Sequence, residues 1–461
     1  MNILFDVFKA YHYHLVRWAI SIFADSICVF AILISACCPI VVFASSCNVV
    51  VFGDSWVNER DRLTKHLVSY YKQSSGLSGA GFCSLVESNG SADIDMVYLP
   101  AYSGWDVSDQ NAESIGLNIS HLSGDSVGST LNFWLKAGVD SVEVYYLKQP
   151  GGGSFTCYGQ DTVLVTIDTD SEVRQGGISV VRWSPSVLPK YFRIKISDGN
   201  SNGVAIGGVN FTTNGDGVRI HKIGNGGLTA RQAVAVDKDI WVGSLRALNP
   251  EIFCILLGTN DYARNVPPLD FKSDIAELVA RVRSAKPEVD IMLMSPGDNG
   301  LSGRTYEIAD YRNALIELCM EKGLKFIDLK EVLGDYASAN SLGLYEDEIH
   351  PNNKGGALIS EAWLSLLLEK KGEMPEMLDV LNPEALTNHS NLKILDINDG
   401  NVLLQFRRMP GVTYTLKESP DLDLWDASVL DPDYPNRAFT MERLNSEIHF
   451  FKLEGSYPEF W

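Results

Sequence analysis

The sequence predicts an α/β protein: a three-layer domain with a parallel sheet between helices, an inserted β-sandwich domain and a small C-terminal β module. Short apolar runs alternate with amphipathic stretches at both ends of the region 45–371. This is the pattern of a parallel sheet covered by helices on both faces. The middle of that region alternates apolar and polar residues between Gly, Ser, Asp and Asn, as half-buried antiparallel strands do. A linker at 372–390 precedes a last β-rich stretch, 391–461.

The first 44 residues are predicted to direct export. A basic start and a long apolar stretch have the arrangement of a secretory signal peptide, with VFA at 42–44 as the cleavage site. Two alternatives stay open: ISAC at 34–37 has the form of a lipobox, which would make Cys37 a lipid anchor, and the stretch is long enough for a retained transmembrane helix. Each alternative exports the rest of the chain. We therefore expect a periplasmic, cell-envelope or secreted bacterial protein, attached to a membrane only through this segment.

The composition is that of a globular protein and excludes some partners. The chain has 461 residues, enough for two or three domains, with 45% hydrophobic and 21% charged residues. Its formal net charge of −20 argues against nucleic acid or an anionic membrane surface as the main partner. Five cysteines follow the leader without a zinc-binding pattern, and Cys254 and Cys319 are expected in the core.

Residues 45–83 begin the α/β domain with a strand that ends at a candidate nucleophile. The strand at 48–52 is a buried apolar run followed by Gly53-Asp54-Ser55, and a helix is predicted over 57–72. Ser55 has two interpretations, as the N-cap of a helix or as a nucleophile. A second Gly-Asp-Ser at 124–126 forms a GxSxG pattern, but it does not follow a buried strand and is set aside.

Residues 84–217 are predicted to be the inserted domain. Alternating runs such as SVEVYYL, TVLVTID and YFRIKIS indicate antiparallel strands with turns between them, as in a β-sandwich. Some aromatic residues of the β-rich parts could stack on sugars, although such residues more often fill a sandwich core. The candidates are Trp105, Trp134, Tyr145, Tyr146 and Trp425.

The α/β pattern returns over 218–371 and completes the first domain. Because strands alternate with helices here, a parallel sheet is expected. The predicted strands are 218–224, 251–258, 289–295 and 325–329, and the predicted helices begin at Thr229 and span 271–285, 306–322 and 354–371.

Three polar loops follow strands of this sheet, where residues beyond the carboxyl ends line the ligand crevice. Gly226-Gly227 precedes a helix and has backbone N–H groups that could face an anion. Gly258-Thr259-Asn260-Asp261 follows a buried strand. Asp347 and His350 lie three residues apart before a helix, and a nucleophilic serine needs such a base with an orienting partner. Taken alone, the second of these loops is also explained by a turn and the third by the start of a helix.

Together these motifs resemble the four sequence blocks of the SGNH hydrolases, also called GDSL esterases. The matching blocks are GDS at 53–55, a Gly before a helix at 227, GTND at 258–261 and DxxHP at 347–351. The resemblance covers 48–76 and 218–371. It implies a flavodoxin-like three-layer fold and serine carboxylester hydrolysis that needs no metal or organic cofactor. Trp56, where the family has Leu, departs from the pattern and affects packing or pocket shape.

The resemblance also implies a role for each matching residue. Ser55 would be the nucleophile, His350 the general base and then the acid, and Asp347 its orienting partner. The backbone N–H groups of Ser55 and Gly227 and the side-chain amide of Asn260 would form the oxyanion hole. Neighbouring alternatives are Gly224 and Gly226 for Gly227, and Glu346 and Glu348 for Asp347.

The inserted domain resembles the jelly-roll-like inserts of peptidoglycan O-acetylesterases and related polysaccharide deacetylases, as in VEVYYLKQPGGGSF. This resemblance implies an exported esterase that removes O-acetyl groups from a glycan, with an acetylated polysaccharide as its partner. A lipase, arylesterase or thioesterase of the same family, an acyltransferase, and an inactive glycan-binding surface protein remain alternatives. The C-terminal module resembles small β modules of secreted proteins, a likeness that assigns it no role.

Overall fold

The structure is a computed structural model that describes residues 47–86, 90–136, 138–183 and 189–369, together with six strands between 393 and 456. The predicted leader at 1–44, the linker at 372–390 and Trp425 lie outside the described residues.

The strands of the main described region, in chain order, are β1 (Cys47–Gly53), β2 (Gly81–Cys83), β3 (Val97–Ser103), β4 (Asp106–Asp109), β5 (Ser120–Gly124), β6 (Thr130–Leu135), β7 (Ser141–Lys148), β8 (Ser154–Gly159), β9 (Thr162–Asp168), β10 (Gln175–Arg182), β11 (Tyr191–Asp198), β12 (Val204–Thr212), β13 (Val218–Gly224), β14 (Ile252–Leu256), β15 (Asp290–Met294) and β16 (Lys325–Ile327). The helices are α1 (Ser55–Asn58), α2 (Thr64–Ser74), α3 (Ala230–Ala235), α4 (Lys238–Leu248), α5 (Thr259–Ala263), α6 (Pro268–Ala285), α7 (Ile308–Lys322), α8 (Leu329–Leu333), α9 (Tyr336–Ser341) and α10 (Asn353–Glu369).

The strands near the C-terminus are β17 (Lys393–Asn398), β18 (Asn401–Gln405), β19 (Thr413–Ser419), β20 (Asp426–Val429), β21 (Ala438–Glu442) and β22 (Phe450–Ser456). They pair antiparallel in two three-stranded sheets, β17-β18-β21 and β20-β19-β22.

A five-stranded parallel sheet forms the centre of the α/β domain, in the order β13-β1-β14-β15-β16. It confirms the predicted α/β class. Alternate residues of β1 point to opposite faces of the sheet. Val49 and Val51 belong to the apolar cluster that includes residues of α2 and α10, whereas Val50 and Phe52 belong to the cluster with α4, α6 and α7. Helices therefore cover both faces, and β1 is buried throughout.

The single helix predicted over 57–72 is wrong, because the chain forms α1, a 3-10 turn at Arg60–Arg62 and then α2. Two buried cations contact the backbone at the interruption. Lys222 Nζ donates to the backbone oxygen of Asn58 at 2.7 Å, and Arg62 Nη1 donates to that of Ser55 at 2.8 Å. The Asn58 carbonyl thus has a side-chain partner in place of a helical one, whereas the Ser55 carbonyl accepts from Arg62 in addition to the backbone N–H of Glu59 at 3.4 Å. Leu63 has non-helical dihedrals, φ −161° and ψ −62°, and separates the two helices.

The inserted residues form two antiparallel sheets. In the first inserted sheet the order is β10-β7-β12-β5-β4, with β2 paired to β12, and in the second it is β3-β6-β11-β8-β9. Side chains from both contribute to one apolar cluster, for example Val142 and Val144 of β7 with Phe133 of β6 and Ile194 of β11. The opposite side of the first sheet contacts the α/β domain, because Tyr145 belongs to the cluster that contains Phe52.

The aromatic residues proposed to stack on sugars divide into two groups. Trp105, Tyr145 and Tyr146 are buried and fill apolar clusters, so for them the core interpretation is correct. Trp134 is 49% exposed. The cysteines at 47, 83, 157, 254 and 319 are buried, and none of these five forms a disulfide. Among the described residues, no helix is long and apolar enough to cross a bilayer.

Gly81 lies at the first crossing from the α/β domain into the inserted sheets. Its φ of +78° is in the left-handed region, and a Cβ there would lie 2.1 Å from the backbone oxygen of Ile220. Gly76, which follows α2, has nearly the same φ, +77°, but has no atom within 4 Å of the Cβ position. A substitution at Gly76 therefore measures the cost of the backbone conformation alone, and one at Gly81 adds the cost of crowding.

We predict that Gly81→Ala lowers the free energy of unfolding more than Gly76→Ala does. The left-handed conformation costs both variants roughly 1–2 kcal/mol, and overpacking adds about 1–3 kcal/mol at Gly81 alone. Urea denaturation of the two variants and the wild type measures the difference. Equal losses for both variants would show that β13 moves away from residue 81 without cost.

Candidate active site

The parallel register brings three loops to one edge of the sheet. Gly53 at the end of β1 pairs with Gly224 of β13 and with Leu256 of β14. The chain continues from these positions into the segments that contain Ser55, Gly227 and Asn260. Gly53 and Gly224 allow the close approach, since a Cβ would lie 2.3 Å from Leu256 O at the first and 2.3 Å from Asn58 N at the second.

Ser55, His350 and Asp347 form a continuous hydrogen-bonded chain. Ser55 Oγ lies 2.9 Å from His350 Nε2, and His350 Nδ1 lies 2.8 Å from Asp347 Oδ2. The backbone N–H groups of Ile349 and His350 both donate to Asp347 Oδ1 at 2.7 Å. One short loop thus fixes the orientation of both the imidazole and the carboxylate, which is the geometry that a serine nucleophile requires.

The electrostatics of Asp347 favour its ionised form. Partial burial raises the pKa of this carboxyl, but the hydrogen bonds from the His350 ring and from two backbone N–H groups outweigh that effect and lower the pKa below its usual value. An ionised Asp347 accepts the Nδ1–H of His350 and so leaves Nε2 free to accept the proton of Ser55.

Asp54 is the N-cap of α1, and Ser55 is the first residue of the helix. The Asp54 side chain accepts a hydrogen bond from Trp56 N at 3.0 Å. The helix-cap interpretation of Ser55 is therefore wrong, because its neighbour has that role. Among the described residues, no acceptor is hydrogen bonded to the backbone N–H of Ser55 or to that of Gly227.

Arg62 connects the serine segment to the histidine loop. Its Nη1 donates to the backbone oxygen of Ser55 at 2.8 Å, and its Nη2 pairs with the carboxylate of Glu346. Glu346, the alternative to Asp347, is therefore paired with Arg62 and not with the imidazole of His350. No sequence motif identifies Arg62 as the partner of Ser55 and Glu346.

Glu346, Asp347 and His350 place potential metal-ligand atoms within 4.8 Å of one another, but each of these three groups has a protein partner.

The Gly226-Gly227 turn is held by a residue of the inserted domain. Gln110 Nε2 donates to Asn225 Oδ1 at 2.7 Å and to the backbone oxygen of Gly226, while Gln110 Oε1 accepts from Gln232 Nε2 at 3.1 Å. Gly227 has a φ of +79°. Its backbone oxygen accepts from Arg264 Nη2 at 2.9 Å. The contact of Gln110 is one that sequence reasoning missed, since no local signal identifies it.

The side chain of Asn260 joins two of the loops. Its Nδ2 donates to Asp54 Oδ2 and to the backbone oxygen of Leu228, each at 3.2 Å. The amide is thus placed beside the residue that precedes Ser55. Because both bonds are long, either hydrogen can be shared with a further acceptor in a three-centre bond.

Two buried carboxyl groups lie beneath these loops. Asp54 is 1% exposed and Asp261 is fully buried, and Asp261 accepts from Ala230 N at 3.1 Å, at the start of α3. Burial raises the pKa of Asp54 to about 7. Burial, with a smaller contribution from the charge of Asp54, also raises the pKa of Asp261 to about 7. Asp54 thus caps α1 and accepts from Asn260, and Asp261 accepts from the first residue of α3, each at an electrostatic cost that depends on pH.

A parallel α/β domain with a hydrogen-bonded Ser, His and Asp at its strand ends has the features of a serine hydrolase. Residues 169–358 match the model of the GDSL-like lipase/acylhydrolase family. The matched residues, less than half of the chain, thus identify a domain of the SGNH/GDSL hydrolase type, and such a domain supports carboxylic ester hydrolysis. The matched range contains Gly227, Asn260, Asp347 and His350. It begins within the inserted sheets and excludes Ser55, because the insertion separates the serine block from the others.

Several solved structures are similar to parts of this chain. A peptidoglycan O-acetylesterase is 17% identical with a TM-score of 0.57, over 72% of this chain and 93% of that one. A salicylyl-acyltransferase from a tetracycline biosynthetic pathway is 12% identical with a TM-score of 0.29, over 61% and 96%. An acetyl xylan esterase is 16% identical with a TM-score of 0.28, over 32% and 81%. Of these three, the first establishes a common fold. No curated protein matches the sequence significantly.

We predict that Asp54→Asn reduces the dependence of stability on pH. A carboxyl with a raised pKa binds its proton more tightly in the folded chain than in the unfolded chain. The wild type therefore loses stability as the pH rises from the usual value of 3.8 to about 7. The variant should recover about 2–4 kcal/mol of that loss, partly because it also removes the charge that acts on Asp261.

Melting temperatures between about pH 5 and pH 8 measure this effect. Asp125→Asn, at an exposed aspartate of the inserted domain, is the control and should follow the wild type. A melting curve of Asp54→Asn that falls with pH as steeply as that of the wild type would contradict the assignment.

Proposed function

We propose that the protein is an exported O-acetylesterase that removes acetyl groups from a glycan, with Ser55 as nucleophile, His350 as general base and acid, and Asp347 as orienting group. The observation that carries the catalytic part is the hydrogen-bonded chain from Ser55 Oγ through His350 to Asp347. The backbone N–H groups of Ser55 and Gly227 have no acceptor among the described residues.

In this mechanism Ser55 Oγ attacks the ester carbonyl carbon while its proton passes to His350 Nε2. The carbonyl oxygen becomes an oxyanion, which accepts hydrogen bonds from the backbone N–H groups of Ser55 and Gly227 and from the Asn260 amide. Each such donor contributes roughly 10²- to 10³-fold to the rate. When this tetrahedral intermediate collapses, the alcohol leaves with the proton from His350 Nε2. The acyl group remains on Ser55 as an acyl-enzyme. Water then attacks by the same route and releases the carboxylic acid.

Two features support an acetylated glycan as the substrate. The fold is shared over most of the chain with a protein described as a peptidoglycan O-acetylesterase. The apolar N-terminal segment is of the kind that directs export, and export would bring the enzyme to the polysaccharides of the cell envelope. We further propose that the two inserted sheets form a jelly-roll-like β-sandwich and that β17 to β22 form a C-terminal β module.

We predict that Ser55→Ala abolishes acetate release. Loss of the nucleophile can cost on the order of 10⁶ in kcat, because no other group completes the attack. Acetate is measured on p-nitrophenyl acetate, acetylated xylan and O-acetylated peptidoglycan. Ser126→Ala is a matched control, since Ser126 belongs to the other Gly-Asp-Ser and is exposed, and it should retain full activity.

The same assay tests the substrate. Acetyl esters of a glycan should be turned over faster than long-chain acyl esters of p-nitrophenol. Preference for the long chains would replace the glycan proposal with a lipase, while leaving the role of Ser55 intact. If the folded wild type and Ser55→Ala are equally inactive on every ester, the proposed catalytic mechanism is wrong.

We also predict that Gln110→Ala lowers kcat between about 10- and 100-fold. Removing its bonds to Asn225 and Gly226 frees the turn that carries the Gly227 N–H, and a displaced donor has effects of this size. KM should change less, because Gln110 acts through the turn. Gln160→Ala is the control: Gln160 is an exposed glutamine between β8 and β9 with a positive φ like that of the half-buried Gln110, +58° against +49°. A wild-type kcat for Gln110→Ala would show that the turn holds its position without the inserted domain.

A further inference from the structure

The outer face of the second inserted sheet carries an aromatic and cationic surface. Strands β6, β11 and β8 are neighbours in this sheet. Their inward positions, such as Phe133, fill the core. The outward positions include Trp134, Tyr191, Arg193 and Tyr158, which together with Asn132 we call the platform. With strands about 4.8 Å apart, it is about 10 Å wide.

The platform side chains are held by contacts with one another. Trp134 pairs with Tyr191 across the strands, with ring centroids 5.5 Å apart and planes at 68°. The guanidinium carbon of Arg193 lies 5.0 Å from the Tyr191 ring centroid, and its Nε donates to Asn132 Oδ1 at 2.8 Å. These contacts lower the entropy that the side chains lose when a ligand binds. The largest ring is nevertheless left open, since Trp134 is 49% exposed.

The charge of this surface is opposite to that of the chain. Arg193 and Lys195 occupy successive outward positions of β11, and Lys195 has no ion-pair or hydrogen-bond partner among the described residues. Of the carboxylates on this face, Asp161 accepts a hydrogen bond from Tyr191 OH at 2.6 Å, and Asp168 and Asp198 lie at the end of the sheet away from Trp134, where both pair with Ser154. A cationic strip on a chain of net charge −20 favours an anionic ligand at this face.

We propose that the platform binds a polysaccharide that carries carboxylate groups, at a site separate from the catalytic one. Aromatic side chains with an apolar body and polar neighbours suit the apolar faces and hydroxyl edges of sugar rings. Arg193 and Lys195 supply charge-assisted hydrogen bonds to carboxylates. The inference rests on the proposed glycan substrate, because it assigns the protein a second contact with the same kind of polymer.

Binding and hydrolysis can be measured separately. The second inserted sheet contributes none of the side chains described at the active site, whereas Gln110 follows β4 of the first inserted sheet. A change on the platform should therefore leave the hydrolysis of a small ester unaffected and alter only the retention of the protein on a polymer.

The test is co-sedimentation of the full chain with insoluble peptidoglycan sacculi, which carry peptide carboxylates, and with neutral cellulose. We expect Trp134→Ala and Arg193→Gln each to weaken binding to sacculi at least tenfold, and added salt to weaken binding of the wild type. Cellulose should retain less protein than sacculi. Tyr102→Ala is the matched control: Tyr102 is 42% exposed and pairs with Leu131, on the opposite side of the same sheet.

Turnover of p-nitrophenyl acetate confirms that each variant is folded, and it should equal that of the wild type. Binding of Trp134→Ala and Arg193→Gln to sacculi with wild-type affinity would overturn the proposal. A wild-type dimer that dissociates in Trp134→Ala, without an effect on sacculi, would overturn it too, because the face would then be a contact between copies. Retention on sacculi together with no turnover of any ester would refute the proposed function and leave the platform supported.

Discussion

Parallel pairing of β1 with both β13 and β14 brings Gly53 level with Gly224 and Leu256. The rest of the site depends on this alignment, because the nucleophile, the Gly227 turn and Asn260 are supplied by segments far apart in the chain. A slip of one residue in either pairing would displace a whole loop by about 3.3 Å, more than the tolerance of a hydrogen bond. The two glycines make the alignment possible, since a side chain at either would collide with backbone atoms of the neighbouring segment.

A layer of buried polar groups holds the loops once they are aligned. Asp54, Asp261 and Arg62 are each at most 9% exposed, and isolated burial of such charges would be costly. Their hydrogen bonds to backbone groups and to Asn260 offset part of that cost. The part of the burial cost that is not offset raises the pKa of both carboxyl groups. These buried polar groups therefore fix the positions of the active-site loops more than they stabilise the fold, as buried polar networks can do.

Local patterns were enough to predict the strands of the parallel sheet, the α/β class and the motif residues that the structure brings together. The parallel strands are apolar runs, and Asp347 and His350 share one loop. Both features can therefore be identified from residues that are neighbours in the sequence. Arg62 and Gln110 could not be found in this way, because their partners lie 284 and 116 residues away in the chain. The helix over 57–72 failed for the same reason: Lys222, 164 residues away in the chain, supplies a partner to the backbone oxygen of Asn58 that a continuous helix would otherwise satisfy.

The alternation of β6 and β7 explains which aromatic residues are exposed. In β6, Leu131, Phe133 and Leu135 are buried, so Trp134 between them faces outward, as the period of a one-sided strand requires. In β7 the successive residues Tyr145 and Tyr146 are both buried, because one packs with the α/β domain and the other between the inserted sheets. The first inserted sheet thus has two covered faces and the second has one. The same insertion can therefore hold the Gly227 turn through Gln110 and still leave an outer surface open to a ligand.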